Sequence, residues 1–169
     1  VPPPVTDGCS LPDFNLFITS TGSVLYNSSA IISGFEFYVT DTTSCTVNGG
    51  SGGDAEAAGL SVSVNATSGK VLGFSMDGSQ IAAGCGTLTG LDITGEPTGL
   101  VNIVMSDPLG IDLGFNYVPP PVTDGCSLPD FNLFITSTGS VLYNSSAIIG
   151  GFEFYVEGAT VNAGSGGDA

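Results

Sequence analysis

The sequence has no Arg, no His and no Trp, and its one basic residue, Lys70, stands against sixteen Asp and Glu. Without imidazole there is no Ser-His-Asp or Cys-His activation of a nucleophile and no His-ligated zinc. A net charge of −15 and a pI near 4.1 leave nothing to neutralise phosphates, which excludes nucleic acid and anionic membrane surfaces as partners. Charged residues make up 10% of the chain, where about 25% is usual for a soluble domain, so its polar surface must come from Ser, Thr, Asn and Gly. Apolar runs of the roughly 18 residues that span a membrane are missing, as is a basic leader with an apolar core, so no membrane insertion is expected. One Lys and no Arg make a poor substrate for trypsin-like proteases, and four Cys suit an oxidising compartment. A secreted or cell-surface setting is the expectation.

What the chain does have is itself, twice. Val1 to Val39 returns as Val118 to Val156 with one difference in 39 positions, Ser33 against Gly150. The match resumes at Thr46 to Ala55 against Thr160 to Ala169, after Thr40 to Cys45 in the first copy is shortened to Glu157, Gly158 and Ala159 in the second. A period of 117 residues is a whole domain, too long for a solenoid unit. We therefore expect a complete repeat at 1–117, with a Pro-rich spacer at 1–8, and a partial repeat at 118–169, with a spacer at 118–124 followed by three strands. The second copy stops at the counterpart of Ala55, so the sequence is either a window on a longer array or a unit completed by strands of a neighbouring copy.

Apolar residues recur at every second position: Phe14, Leu16 and Ile18; Phe35, Phe37 and Val39; Leu60, Val62 and Val64. That period predicts strands. Further strands are expected at 24–28, 71–76, 87–94, 100–106 and 114–118, separated by turns such as Asp77-Gly78 and Asp107-Pro108-Leu109-Gly110. One helical turn is expected at 54–59, between Asp54 as N-cap and Gly59 as stop. Eight or nine strands with no helix to cover them point to an all-β fold, a two-sheet antiparallel sandwich. The triple proline Pro119 to Pro121, with its twin Pro2 to Pro4, reads as a stiff polyproline spacer.

In the partial repeat, Phe131, Leu133, Ile135, Val141, Phe152, Phe154 and Val156 lie on strands whose apolar faces lack the other half of a sandwich. Exposed strands of this kind aggregate or pair. Strand addition from a neighbour would cover them, and a head-to-tail contact that never closes makes a filament.

The stretch GSVLYNSSAIISGFEFYV, followed by KVLGFSMDGSQIAAGCGTLTGLDI and LVNIVMSDPLGIDLGF, resembles the cohesin-like β-sandwich modules that recur in tandem in secreted and surface proteins of bacteria. The pattern runs in order through Gly34-Phe35-Glu36-Phe37, Val71-Leu72-Gly73-Phe74-Ser75 and Ala83-Gly84-Cys85-Gly86-Thr87-Leu88. The resemblance implies a jelly-roll or Ig-like sandwich and a secreted setting. Cohesins hold calcium-loaded dockerins, but this chain has no dockerin-like duplicated calcium loop, so no ligand is carried over.

Cys9 and Cys126 are one repeat position; Cys85 occurs once, and Cys45 faces Ala159. Four Cys allow three pairings, and the repeat favours the Cys9 type joined to the Cys85 type, within a unit or between successive units. Asp107 and Asp112, with Asp77, or Asp7 and Asp13, offer oxygens for calcium without the spacing of a calcium loop. No other cofactor is expected. Asn27, Asn65 and Asn144 head N-glycosylation sequons, a composition-level match in a chain rich in Ser and Thr. A carboxylate pair for glycoside hydrolysis is the one enzyme chemistry left, but Glu36, Glu96 and Glu153 sit as solvated strand and turn positions, so no enzyme is expected. The expected function is a structural subunit of an extracellular filament or surface stalk, partnered by copies of itself. The alternative is a secreted binding module for a partner domain or carbohydrate, against which stand the absence of Trp and the strand or spacer placement of Tyr26, Tyr38, Tyr117, Tyr143 and Tyr155.

Overall fold

The computed structural model describes residues 5–40 and 45–168. Contacts divide the chain into two compact units, Pro2–Pro121 and Val122–Ala169. The proposed spacer at Pro2 to Pro4 lies outside the described residues, as does most of the first-copy insertion.

In the first unit the strands run in chain order as β1 (Asn15–Ile18), β2 (Ser23–Ser28), β3 (Gly34–Thr40), β4 (Thr46–Ser51), the short helix α1 (Gly53–Ala57), β5 (Ser61–Asn65), β6 (Lys70–Phe74), β7 (Gly84–Thr94), β8 (Gly99–Ser106) and β9 (Asn116–Tyr117). They form a five-stranded sheet in the order β4-β7-β2-β1-β9 and a four-stranded sheet in the order β5-β6-β3-β8. Every pairing is antiparallel except β9, which runs parallel to β1. The fold is all-β, two packed sheets.

The core lies between the sheets. Phe35, Phe37 and Val39 alternate inward along β3, as the period of two requires, and meet Leu16, Val24 and Tyr26 of the opposite sheet. Phe35 stacks on Phe37 with ring centroids 5.8 Å apart and faces Gly73 on β6, where a methyl group would sit 2.2 Å from the Phe35 ring. Glu36 and Tyr38 point the other way, and Glu36 holds Lys70 Nζ at 3.0 Å. The chain's one cation thus ties β3 to β6 on the outer face.

Two strand expectations need correction. β1 and β2 bury residues on both faces, because Phe17 and Leu25 pack with Leu11 under the half-buried Val5 and Val118, forming a second small core outside the sheet. β4 was not legible, since Thr46 to Ser51 carries two Gly and one large apolar residue; it forms by pairing with β7. Val118 belongs structurally to the first unit: its amide donates to Leu16 O at 2.9 Å.

In the second unit a Gly125–Ser127 turn leads into a hairpin of β10 (Asn132–Ile135) and β11 (Val141–Asn144). The third expected strand, carrying Phe152, Phe154 and Val156, does not form, and Phe131 precedes β10. The physical reason is pairing: in the first unit the matching strand β3 lies between β6 and β8, and residues 122–168 contain no counterpart of either.

Candidate inter-repeat interface

The hairpin of the second unit repeats the first in register. Asn132↔Asn144, Leu133↔Tyr143, Phe134↔Leu142 and Ile135↔Val141 match the β1–β2 register from Asn15↔Asn27 to Ile18↔Val24. Asp130 accepts from the amides of Phe131 and Ser146, as Asp13 does from Phe14 and Ser29. Asn144 Nδ2 donates to Leu128 O at 2.6 Å, and Asn27 Nδ2 to Leu11 O at 2.7 Å. Phe131 and Phe14 adopt the same left-handed backbone, φ 60° and 56°. These contacts all lie within the hairpin and its entry turn, spanning at most 16 positions, so the sequence makes them in both copies. Even Phe152 and Phe154 keep the 5.8 Å stack of Phe35 and Phe37.

What differs is cover. Leu16 is fully buried and Leu133 is 57% exposed; Phe35 is 3% exposed and Phe152 67%; Phe37 is fully buried and Phe154 is 42% exposed. The second unit carries an open groove of about 1170 Å³, lined by Leu133, Val141, Tyr143, Phe152, Phe154 and Asp168 among others. Burying a side chain of this size is worth about 1.5 to 3 kcal/mol, so the groove displays a large unrealised stabilisation. The one substitution between Val1–Val39 and Val118–Val156 removes an unsatisfied group: Ser33 Oγ is buried without a hydrogen-bond partner, and Gly150 lacks that hydroxyl.

Polar groups along the groove carry the same imprint. Tyr26 OH donates to Asp54 Oδ2 at 2.9 Å, and Tyr143 OH to Asp168 Oδ2 at 3.1 Å. Burial, then the Asp54 carboxylate, drives the Tyr26 phenol far above its usual range; for exposed Tyr143 the Asp168 hydrogen bond is the main cause of a raised value. Glu36 is met by Lys70, whereas Glu153 accepts from Tyr155 OH at 3.1 Å.

Cys9 and Cys85 form a disulfide with Cα atoms 4.9 Å apart, which is the pairing expected from the repeat, made within the unit. Asp7 takes the Cys9 amide at 3.1 Å and sets the turn; Asp124 takes the Cys126 amide at 3.1 Å in the same way. Gly8 allows the close approach, since a methyl group there would lie 2.3 Å from Gly86 O and 2.5 Å from Tyr26 O. At Gly125 the Tyr143 side of that fit is kept, since a methyl group there would lie 2.4 Å from Tyr143 O. Cys126 is an exposed thiol. Cys45 packs half-buried against the main core.

The remaining candidates are not gathered. Asp107 Oδ1 caps its own turn through the amides of Leu109 and Ile111, both at 2.8 Å, and Asp112 Oδ1 accepts from Gly114 N at 3.1 Å. Asp77 accepts from Ser75 and Ser79, Asp7 from the Cys9 amide of its own turn, and Asp13 from Phe14 and, across the hairpin, Ser29. Among the described residues no three His, Cys, Asp or Glu side chains come together as a metal site. Asn27 and Asn144 have their amide nitrogens engaged, while Asn65 is exposed and its Oδ1 accepts from Thr67 and Ser68. Sequence reasoning did not anticipate the close fit at Gly8, the Tyr26–Asp54 bond or the Lys70–Glu36 pair; Gly8, Tyr26 and Asp54 recur in the second copy, and that recurrence was the available signal.

No family model, curated protein or solved structure matches this chain. Among the described residues no helix is long and apolar enough to cross a membrane.

Proposed function

We propose that this chain is a structural subunit of an extracellular filament or surface stalk, in which repeats join head to tail through strand pairing. One observation carries the reading: a sequence that is buried in the first unit is presented, already folded into the same hairpin, with its apolar face uncovered in the second. Such a face is covered in a stable assembly, and unpaired strand edges are templates for another strand. The finer fold we assign is a cohesin-like, jelly-roll or Ig-like module used in tandem, and the setting is secreted, which the Cys9–Cys85 bond and the scarcity of charge support. No catalytic role is assigned. The partners are copies of the same repeat.

Negative-stain imaging of the purified chain under oxidising conditions tests this. Uniform fibres with a repeating unit support it, and dispersed particles across a wide concentration range overturn it.

A further inference from the structure

The three Asn-X-Ser/Thr sequons fall into two kinds once their polar atoms are followed. In Asn27-Ser28-Ser29 both groups that a glycosyl transfer uses are already bonded: Asn27 Nδ2 donates to Leu11 O at 2.7 Å, and Ser29 Oγ donates to Asp13 Oδ2. Asn144-Ser145-Ser146 repeats this, with Asn144 Nδ2 on Leu128 O at 2.6 Å and Ser146 Oγ on Asp130 Oδ2. Asn65-Ala66-Thr67 is the reverse. Residues 65–68 are all exposed where β5 turns into β6, and neither Asn65 Nδ2 nor Thr67 Oγ1 has a hydrogen-bond partner among the described residues. The turn itself is held firmly: Asn65 pairs with Lys70, Gly69 N donates to Asn65 O at 2.9 Å, and Val39 N donates to Gly69 O at 2.9 Å. Asn65 Oδ1 takes the amides of Thr67 and Ser68 at 3.0 and 3.2 Å, which fixes the carboxamide by its oxygen and leaves its nitrogen facing solvent.

We infer that Asn65 is a glycosylation site, the one of the three sequons that the folded chain offers as an acceptor, and that it takes an oligosaccharide from a lipid-linked pyrophosphate donor. In the transfer, Asn65 Nδ2 attacks the anomeric carbon of the reducing-end sugar. The bond from nitrogen to that carbon forms, the bond from carbon to the pyrophosphate oxygen breaks, the lipid pyrophosphate leaves, and one amide proton passes to a carboxylate of the transferase. The Thr67 hydroxyl is the group by which the transferase reads the sequon. A sugar here adds hydrated surface to a chain in which charged residues are 10% of the total. The inference does not depend on the joining of copies.

The test offers the folded, oxidised full chain to a purified single-subunit oligosaccharyltransferase that accepts Asn-X-Ser/Thr, with a lipid-linked pyrophosphate oligosaccharide as donor. Cleavage after Glu36, Glu56 and Lys70 then puts the three asparagines on separate peptides, and mass spectrometry reads the sugar on each. Rates are taken relative to synthetic peptides of the same sequons, which removes the enzyme's own preference between Ser and Thr. Asn65 is expected to be modified at least about tenfold faster than Asn27 or Asn144, each of whose sequons must first break two hydrogen bonds. Asn65→Gln and Thr67→Ala are each expected to abolish the sugar on residues 57–70, and Thr67→Ser to keep it. Transfer to Asn27 or Asn144 at or above the Asn65 rate overturns the inference. So does a folded chain left unmodified at Asn65 while its peptide is modified, or a sugar on residues 57–70 that survives Asn65→Gln.

Discussion

Cys9 is bonded to Cys85 across 76 positions of sequence, and that bond clamps the entry turn of the first unit onto the start of β7. A loop of that size constrains the unfolded chain by about 4 kcal/mol on the chain-entropy estimate. Changing both to Ser is expected to lower the unfolding free energy of the first unit by about 2 to 5 kcal/mol, read by denaturant titration. Cys126→Ser, at the same repeat position, leaves that titration unchanged.

Phe37 and Phe154 are one repeat position in two environments. Phe37→Ala removes a fully buried ring and is expected to destabilise by about 3 to 5 kcal/mol. Phe154→Ala, in dispersed chain, is expected to cost less, because the ring is 42% exposed on a segment that forms no strand. Calorimetry on the two variants checks the contrast, and in assembled material the Phe154 variant approaches the cost of the Phe37 one.

How far the fold was legible follows from the same contrast. Strands that carry their own alternation, such as Phe35 to Val39, were readable; β4, with Gly49 and Gly50, exists because β7 pairs with it, and no local signal announces that. The segment around Phe152 shows the converse: a strong strand sequence, identical to β3 from Gly34 to Val39, stays irregular without neighbours. The hairpins were readable because Asp13, Asn27 and Thr19, and their twins, make their contacts within 16 positions, inside the hairpin and its entry turn. The disulfide was open between two arrangements, since repetition names the pair of positions and not the molecule that supplies each.

Tyr26 predicts an alkaline transition. Burial, with help from Asp54, raises its folded pKa above the unfolded value of 10.0. The group's contribution is therefore complete below pH 10 and is lost as pH rises beyond it. Absorbance titration should show Tyr26 ionising only with unfolding, and Tyr117, which burial pushes up to about 12, also late. Tyr26→Phe leaves Asp54 without its donor and lowers stability at neutral pH by about 1 to 3 kcal/mol.

On the acid side, hydrogen bonds from Ser75 and then Ser79 bring Asp77 down from 3.8 to about 2. A lowered carboxylate stabilises the fold above pH 3.8 and loses that contribution as pH falls towards 2. Carboxyl NMR titration should place the Asp77 midpoint near 2, and Ser75→Ala with Ser79→Ala should return it towards 3.8.

With fifteen net negative charges on each chain, joining copies works against repulsion that salt screens within about 10 Å at 0.1 M. Light scattering should show assembly growing faster from 10 to 300 mM salt. Loss of assembly over that range would mean that attraction between charges, and not apolar cover, holds the joint.

Hydrogen exchange on assembled material asks the central question directly, by comparing the amides of residues 152–156 with those of 35–39. If the second copy is completed on joining, the two segments exchange at matching slow rates, and only dispersed chain shows 152–156 exchanging fast. Fast exchange at 152–156 within intact fibres would contradict the account.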